Sequence, residues 1–465
     1  MRWAPAIALL VAACGGAPQF GIGSGSRFGG SSPWGSANAS YGAAQGVLEQ
    51  PVVGATTDEA QNLWLATHSA LYLMKPGERA FRRFDARNGL HLPGNPAQYC
   101  DADIAGGDRR CPIYGAAADP GISEIEGGAA GEVFVGYFGH DDGIGDWSDS
   151  NRHSGKLDRV RLTSSGSLQV DRFDLVASTT AQFWHNRTVQ RLLYDHFLHP
   201  HELYVGTNHG VDRIWPDKYR APNRGEWFLA ATHDWMSDHL HPQICYHHAC
   251  SESESDLRLG DWKGLSLSAD GNLWVAGRWT AGQIRWTQDL AGWLNRPGSQ
   301  IYAVAFGDPY QGPCGRGFCN QPVFMVPAEG DVISIQAAAV AADGRVWFAS
   351  GRTTTFDAPR GLAAWDGKSF RYFDPARDAG MTENDFRDMV ALPDGRLVLA
   401  GPNSGLVFWN PQTGARTSLR ASPDLPDDHV LRLKLDRMVD PPTLYVATYG
   451  GAAALRQLPT DRAPR

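Results

Sequence analysis

One alternation of apolar and polar positions returns seven times along the chain. An apolar strand runs into a short polar turn carrying Asp or Gly, and a second strand of apolar and aromatic residues follows. The copies occupy 52–67, 122–137, 189–207, 262–277, 335–350, 386–401 and 430–448. The fifth is the clearest, with Asp343-Gly344 at the turn and Val346-Trp347-Phe348 opening the second strand. Aligned on that strand stand Trp64, Phe134, Tyr204, Trp274, Trp347, Val398 and Tyr445. A third strand follows in most copies and often opens on Gly, as at Gly210-Val-Asp-Arg-Ile-Trp215, Gly361-Leu-Ala-Ala-Trp365 and Gly405-Leu-Val-Phe-Trp409. A fourth is predicted at Phe81-Arg-Arg-Phe84, Trp227-Phe-Leu229 and Phe370-Arg-Tyr-Phe373.

Four antiparallel strands per repeat make the blade of a β-propeller, and one blade cannot bury both faces alone. The pattern predicts an all-β chain folded as a single seven-bladed β-propeller of four-stranded antiparallel blades over 43–458, with a polar tail at 459–465. Bulky second-strand rings would fill the wedges between blades. The seventh repeat has a third strand at 452–458 and no fourth. An N-terminal strand is therefore expected to close the last blade, and 44–49 (Ala-Gln-Gly-Val-Leu-Glu) is the stretch assigned to it.

Composition sharpens this picture. The 465 residues include 53 Gly, 29 Pro and 16 Trp, a mixture suited to many turns and half-buried strands. A net charge of -8 with no basic run gives no electrostatic reason to expect nucleic acid as a partner. At the N-terminus, Met1-Arg2 precedes an apolar stretch too short to span a bilayer. It ends Val11-Ala12-Ala13-Cys14, which resembles the bacterial lipoprotein processing box. That resemblance implies a signal peptide over 1–13 and lipidation of Cys14. Gly15 in place of Asp implies retention at the outer membrane, facing the periplasm or the surface. An ordinary cleaved signal is the alternative. Residues 14–42, dominated by Gly, Ser and Ala, read as a flexible tether.

Export also suits the cysteines. Beyond Cys14 they fall in close pairs, Cys100 with Cys111, Cys245 with Cys250 and Cys314 with Cys319, which an oxidising compartment would join as local disulfides. No pair has the Cys-x-x-Cys spacing of a thiolate metal site.

The extra residues fall at 88–120, 176–188, 233–261 and 307–332 between blades, and at 138–155 and 351–359 between second and third strands. Both kinds of connection open on one face of a propeller, so blades one to four are expected to carry a decorated loop face. Function tends to sit on such loops. Two of them hold candidate chemistry. His233, His239, His241, His247 and His248 form a dense imidazole cluster that could serve Zn or Cu, although their spacing matches no standard ligand pattern. Asp141, Asp142, Asp146 and Asp149 could offer oxygens to Ca²⁺, and Trp147 among them could stack on a sugar. A divalent metal is thus the cofactor class the residues suggest, without fixing one.

The repeat resembles the two-component regulator propeller repeat, through Asp58 to Leu71 in the first copy, Thr207-Asn-His-Gly210 in the third and Thr448-Tyr-Gly-Gly451 in the seventh. That resemblance implies the propeller architecture and a sensor-side role at a membrane. Asp343-Gly-Arg-Val-Trp-Phe348 is also similar to the streptogramin lyase propellers, which implies a metal-assisted lyase or hydrolase as the second reading. No nucleophile–base pair can be assigned along the chain. Recognition is therefore favoured over catalysis. The expected protein is a lipid-anchored monomer that binds a protein, glycan or small ligand on its loop face and touches the membrane through the anchor alone.

Overall fold

The computed structural model describes residues 28–92, 121–138, 156–174, 188–199, 201–207, 211–219, 235–240, 262–277, 281–285, 300–304, 309–310, 323–324, 335–352, 359–375, 378, 381, 383–422 and 424–460. Seven four-stranded antiparallel sheets make the ring. An N-terminal strand β1 (Ala39–Tyr41) comes first. Blade one is β2 (Val52–Thr57), β3 (Leu63–Thr67), β4 (Leu71–Met74) and β5 (Arg82–Phe84). Blade two is β6 (Ile122–Gly127), β7 (Glu132–Tyr137), β8 (Lys156–Leu162) and β9 (Leu168–Asp174). Blade three is β10 (Val189–Asp195), β11 (Glu202–Thr207), β12 (Val211–Tyr219) and β13 (Trp235–Leu240). Blade four is β14 (Gly264–Leu267), β15 (Leu273–Ala276), β16 (Ala281–Arg285) and β17 (Gln300–Val304), followed by a small hairpin of β18 (Pro309–Tyr310) and β19 (Val323–Phe324). Blade five is β20 (Ile335–Val340), β21 (Val346–Ser350), β22 (Leu362–Trp365) and β23 (Phe370–Phe373). Blade six is β24 (Asp388–Ala391), β25 (Leu397–Gly401), β26 (Gly405–Trp409) and β27 (Arg416–Leu419). Blade seven is β28 (Val430–Asp436), β29 (Thr443–Thr448) and β30 (Gly451–Leu455), and β1 completes it.

The ring closes with an N-terminal strand, as the unpaired third strand of blade seven requires. The strand is 39–41, however, and not 44–49. Ala39, Ser40 and Tyr41 pair with Ala454, Ala453 and Ala452. The stretch expected to do this turns away after Gly42, through a short helical turn, and reverses at Gly46 with φ 90. A left-handed residue cannot continue a strand. Tyr41 is the better closing residue, because β30 offers only alanine side chains along most of its length and the tyrosine ring covers them, edge-on to Phe81 at 5.7 Å. Residues 28–42, expected as tether, also lie on the ring. Gly29 N donates to Met438 O (2.9 Å), Asp440 N donates to Gly30 O (3.0 Å), and Trp34 Nε1 donates to Gln61 O (2.9 Å).

Two other expectations shift. The outer strand of blade three is Trp235–Leu240, inside the stretch 233–261 assigned to a loop. As a result 220–234 joins β12 to β13, and 286–299 likewise joins β16 to β17. Connections from third to fourth strand leave from the opposite face, so the extra residues are not all on one side. The stretch 307–332 carries the β18–β19 hairpin.

Ring-to-ring packing follows the repeat. Trp64 is buried with Ile122, Ile125 and Val133 of the next blade, and Phe134 with Val189, Leu192 and Val205. Trp347 packs with Phe386, Met389 and Trp409, and Tyr445 closes the circle against Val52, Ala55 and Leu63. Fully burying such a side chain is worth about 1.5–3 kcal/mol. Blades also approach closely along their backbones. A Cβ on Gly206 would stand 2.1 Å from Trp262 O, and one on Gly127 would stand 1.9 Å from Thr57 O.

Candidate functional site

The strands β2, β6, β10, β14, β20, β24 and β28 line the central channel, and the aligned copies put one residue of each at the same height. These are Gly54, Glu124, Arg191, Gly264, Ala337, Asp388 and Arg432. Each faces a small residue on the second strand: Ala66, Gly136, Gly206, Ala276, Ala349, Ala400 and Ala447. The layer sits just inside the face from which the first-strand entries and second-to-third turns emerge, here called the upper face.

Blades one, four and five contribute no side chain beyond a methyl group, and the long side chains of the other four cross the opening. Arg191 of blade three donates to both oxygens of Asp388 in blade six (2.7 and 3.1 Å). On the way it donates to Lys263 O (2.8 Å) and Gln336 O (3.3 Å) in blades four and five. Arg432 of blade seven donates to Glu124 of blade two (2.7 Å). One turn lower, Lys434 pairs with Glu126, which also accepts from Tyr194 N (3.1 Å). Lower still, Asp436 accepts from Thr57 Oγ1 (2.8 Å), Gln61 Nε2 (3.0 Å) and Met438 N (2.7 Å).

Electrostatics are strong in this layer because Asp388 and Glu124 are almost fully buried beside Arg191. Burial works against the Arg191 cation, yet Asp388 and Glu124 outweigh it and hold its pKa above the ordinary arginine value. Burial pushes the Glu124 carboxyl up, while Arg432 and Arg191 pull it back. Asp388 also accepts from Leu433 N (2.9 Å) and Met389 N (2.8 Å), so it holds two strands as well as one guanidinium. The arrangement cross-braces the ring and fills the channel. It does not present a nucleophile.

The lower mouth is covered by the N-terminal segment. Phe28 packs edge-on against Phe197 (5.4 Å) and His196 (6.2 Å), while Gly29 and Gly30 bond to blade seven. His196 Nδ1 lies 3.5 Å from Glu59 Oε1. The lower turns are closed locally: Asp58 accepts from Ala60 N, Asn62 N, Asn62 Nδ2 and Trp64 Nε1 at 2.8–3.2 Å, and burial nevertheless pushes its carboxyl up to about 6.

The upper rim carries rings. The residues that follow β29, β3 and β7 in three successive blades are Tyr449, His68 and Phe138. His68 lies 5.7 Å from Phe138, and its Nδ1 donates to Ile122 O (3.0 Å). Tyr449 is half exposed and lies 5.6 Å from His429, whose Nδ1 is 3.0 Å from an Asp427 oxygen. Beneath the rim, His91 bonds Asp158 through Nδ1, and Tyr137 donates to the same carboxylate (2.7 Å). This buried cluster ties the start of the blade-one to blade-two connection to the ring. No motif in the sequence singles it out.

Of the sequence-predicted site residues, His239 lies in β13, where its backbone pairs opposite Asp212. His233, His241, His247 and His248 lie outside the described residues, as do Asp141, Asp142, Asp146, Trp147 and Asp149. The lipidation residue Cys14 lies outside them too. So does every cysteine of the three expected disulfides: Cys100 and Cys111 in the first pair, Cys245 and Cys250 in the second, Cys314 and Cys319 in the third. Among the described residues, no group of three or more His, Cys, Asp or Glu is placed to hold a metal. No described helix is long and apolar enough to cross a membrane.

No family model matches the chain, and no curated protein matches it. Solved structures do. Sqt1 of Saccharomyces cerevisiae aligns at TM-score 0.49 and 10% identity, over 90% of this chain and 98% of that one. YCF48 bound to D1 peptide aligns at 0.45 and 10%, over 93% and 98%. The extracellular domain of the hybrid two component system BT3049 from B. thetaiotaomicron aligns at 0.36 and 12%, over 87% of this chain and 56% of that one. Identities this low concern the fold. The protein is a seven-bladed β-propeller, a scaffold whose architecture suits binding.

Proposed function

We propose that this propeller is an exported recognition module, lipid-anchored in the bacterial envelope, that binds a protein or glycan on its upper face. The observation that carries the reading is the braced channel. With Arg191–Asp388 and Arg432–Glu124 spanning it, ligand contact falls to the rim and the connections around it. By the strand order the connections 93–120, 139–155 and 241–261 start from the upper ends of their strands, and Phe138 immediately precedes the second of them. Aromatic faces of this kind suit sugar or peptide surfaces, being broad and rigid. The pairs Cys100 with Cys111, Cys245 with Cys250 and Cys314 with Cys319 would staple three of the long connections as local disulfides. The sensor-like role fits the repeat resemblance.

The N-terminal path gives the anchor a direction. Phe28 and Gly29 cross the lower mouth, so a lipid on Cys14 would be attached through 14 residues leaving that face. Such a length reaches at most about 50 Å and averages about 20 Å. The rim lies about 22 Å from the axis, counting four strands at 4.8 Å spacing plus the channel, and the strands stand about 20 Å tall. A chain fixed at the lower centre would have to be almost fully extended to pass the rim and bring the upper face to the membrane, and its average length of about 20 Å favours a loop face turned outward.

Photo-crosslinking in cells tests this reading, with probes replacing Tyr449 on the upper face and Asp394 in the lower turn of blade six. Capture of one partner from Tyr449 alone supports it. Equal capture from both faces, or from neither, sinks it.

A further inference from the structure

The lower turn of blade three is longer than its neighbour and differently furnished. Residues 196–201 join β10 to β11, whereas only 128–131 join β6 to β7 in the blade before. Its tip carries Phe197 and Leu198, which are 49% and 41% exposed. Among the described residues the other exposed large apolar side chains are Leu48 and Tyr449, each standing apart from this pair. The turn is fixed in place. Asp195 accepts from the backbone N–H groups of Phe197 (2.9 Å), Leu198 (2.8 Å) and His199 (2.6 Å). A fixed loop thus holds two neighbouring apolar side chains out to water, an arrangement that is unfavourable unless something covers them.

Charge is scarce around the tip. The lower turn of blade two is Gly128-Ala129-Ala130-Gly131, and that of blade four opens on Ser268-Ala269. The charged groups close by have partners. His199 Nδ1 lies 3.3 Å from Asp195, and His201 Nδ1 lies 3.1 Å from Asp217, which also accepts from Arg159 (2.6 Å). Asp270 accepts from Asn272 Nδ2 (2.8 Å). The lower turns of blades five to seven differ, carrying Asp343, Arg345, Asp394, Arg396, Arg437 and Asp440. The N-terminal segment comes down on the charge-poor side. Phe28 packs edge-on against Phe197 (5.4 Å), and 14 residues separate it from Cys14.

We propose that Phe197 and Leu198 dip into the headgroup layer of the membrane that holds the lipid anchor, so that the propeller rests on the blade-three side of its lower face. The inference rests on the anchoring of Cys14. Three observations select a lipid surface as the cover. A bilayer takes up an apolar turn tip without needing a groove shaped to match it. The uncharged flanks spare the contact the repulsion that carboxylates would meet at anionic lipids. A tether averaging about 20 Å keeps the bilayer beside this tip at high effective concentration, so the contact needs little affinity of its own. Phe20 and Ile22 of the tether, or a partner protein, are the competing covers, and one experiment separates all three.

Photo-crosslinking of the full chain in cells is that experiment, with a benzophenone side chain replacing Leu198 and, as the control on the same face, Asp343. Mass spectrometry reads what is attached to the probe-bearing tryptic peptide, 192–213 for Leu198. Phospholipid should be attached at Leu198 at least five times as often as at Asp343. Ala130, exposed in the uncharged turn of blade two, takes a second probe and should also yield lipid, so a chain misfolded by the Leu198 probe does not leave the question open. Crosslinks from Leu198 to residues 14–27 or to another protein, in place of lipid, overturn the proposal and name the true cover. No adduct at either Leu198 or Ala130, or equal lipid at Leu198 and Asp343, overturns it as well. The mass of the N-terminal peptide reports the anchor separately. An acylated Cys14 with no lipid at Leu198 refutes this contact alone, whereas an unmodified Cys14 refutes the anchor and the contact together. Neither result depends on whether the Tyr449 probe captures a partner.

Discussion

Replacing Asp388 by alanine should destabilise the ring far more than a surface change. The carboxylate is nearly fully buried and, among the described residues, is the only counter-ion bonded to Arg191, which is itself mostly buried. Truncating it leaves the guanidinium with two backbone carbonyls and strips an acceptor from Leu433 N and Met389 N. Glu124 cannot substitute without releasing Arg432. Removing one partner of a buried pair costs about 3–5 kcal/mol. For a ring of roughly 420 residues, an unfolding entropy of about 2.1 cal/mol/K per residue converts 4 kcal/mol into a Tm lower by about 4–5 °C. Urea denaturation and calorimetry would read both quantities. The double variant Arg191→Met/Asp388→Leu removes both charges and keeps apolar volume, so it should recover to within about 1 kcal/mol of the parent. A single Asp388→Ala variant within about 0.5 kcal/mol of the parent would refute the reasoning, since the layer would then brace nothing. A double variant as unstable as the single would refute it differently, by showing that geometry and not charge pairing matters.

Two further outcomes follow from the ring's geometry. Gly206→Val should destabilise by more than about 3 kcal/mol, because its side chain would meet the Trp262 carbonyl carbon and oxygen of the next blade, which cannot withdraw without parting β11 from β14; a urea midpoint unchanged from the parent would show that the blades are looser than this. Deleting residues 1–42 removes β1 and should leave β30 as a bare edge, giving a lower Tm and concentration-dependent association by light scattering; a deleted chain that stays monomeric with the parent Tm would show that three strands suffice in blade seven.

How far the sequence could be read depends on whether a feature repeats. The seven strand–turn–strand copies coincide with the first two strands of every blade because each carries its own period and its own Asp or Gly turn. Third strands at 211, 362 and 405 were legible for the same reason. The outer strand of blade three was not: Trp227-Phe-Leu229 looks apolar, whereas Trp235–Leu240 includes Ser, Asp and His, and outer strands face solvent on more sides. The closing strand was required by counting, but its position depended on Gly46, whose left-handed turn no apolar pattern reveals. The channel layer was visible in part. Aligning the copies displays Glu124, Arg191, Asp388 and Arg432 at the third position, each facing Gly or Ala, and charges on strands that should be buried are a signal in themselves.

What alignment cannot display is which acid meets which base. Arg191 could as easily have been assigned Glu124, its neighbour in sequence, as Asp388, 197 positions away. The choice is made by the ring. Adjacent blades put equivalent residues side by side at the channel wall; bonding across the opening lets Arg191 collect the carbonyls of Lys263 and Gln336 in the blades it passes, and Arg432 that of Gln190. Gly264 and Ala337 are small where Arg191 passes, and Gly54 is small between Arg432 and Glu124. Long side chains in four blades thus require bare positions in the other three. The same logic reads blade six from the outside: Gly401 stands where four other copies have Thr or Ser, and the space is taken by Glu383 and Ser404. In a repeat protein the informative glycines are those that stand where the other copies have a side chain, because the space they leave has been taken by something else.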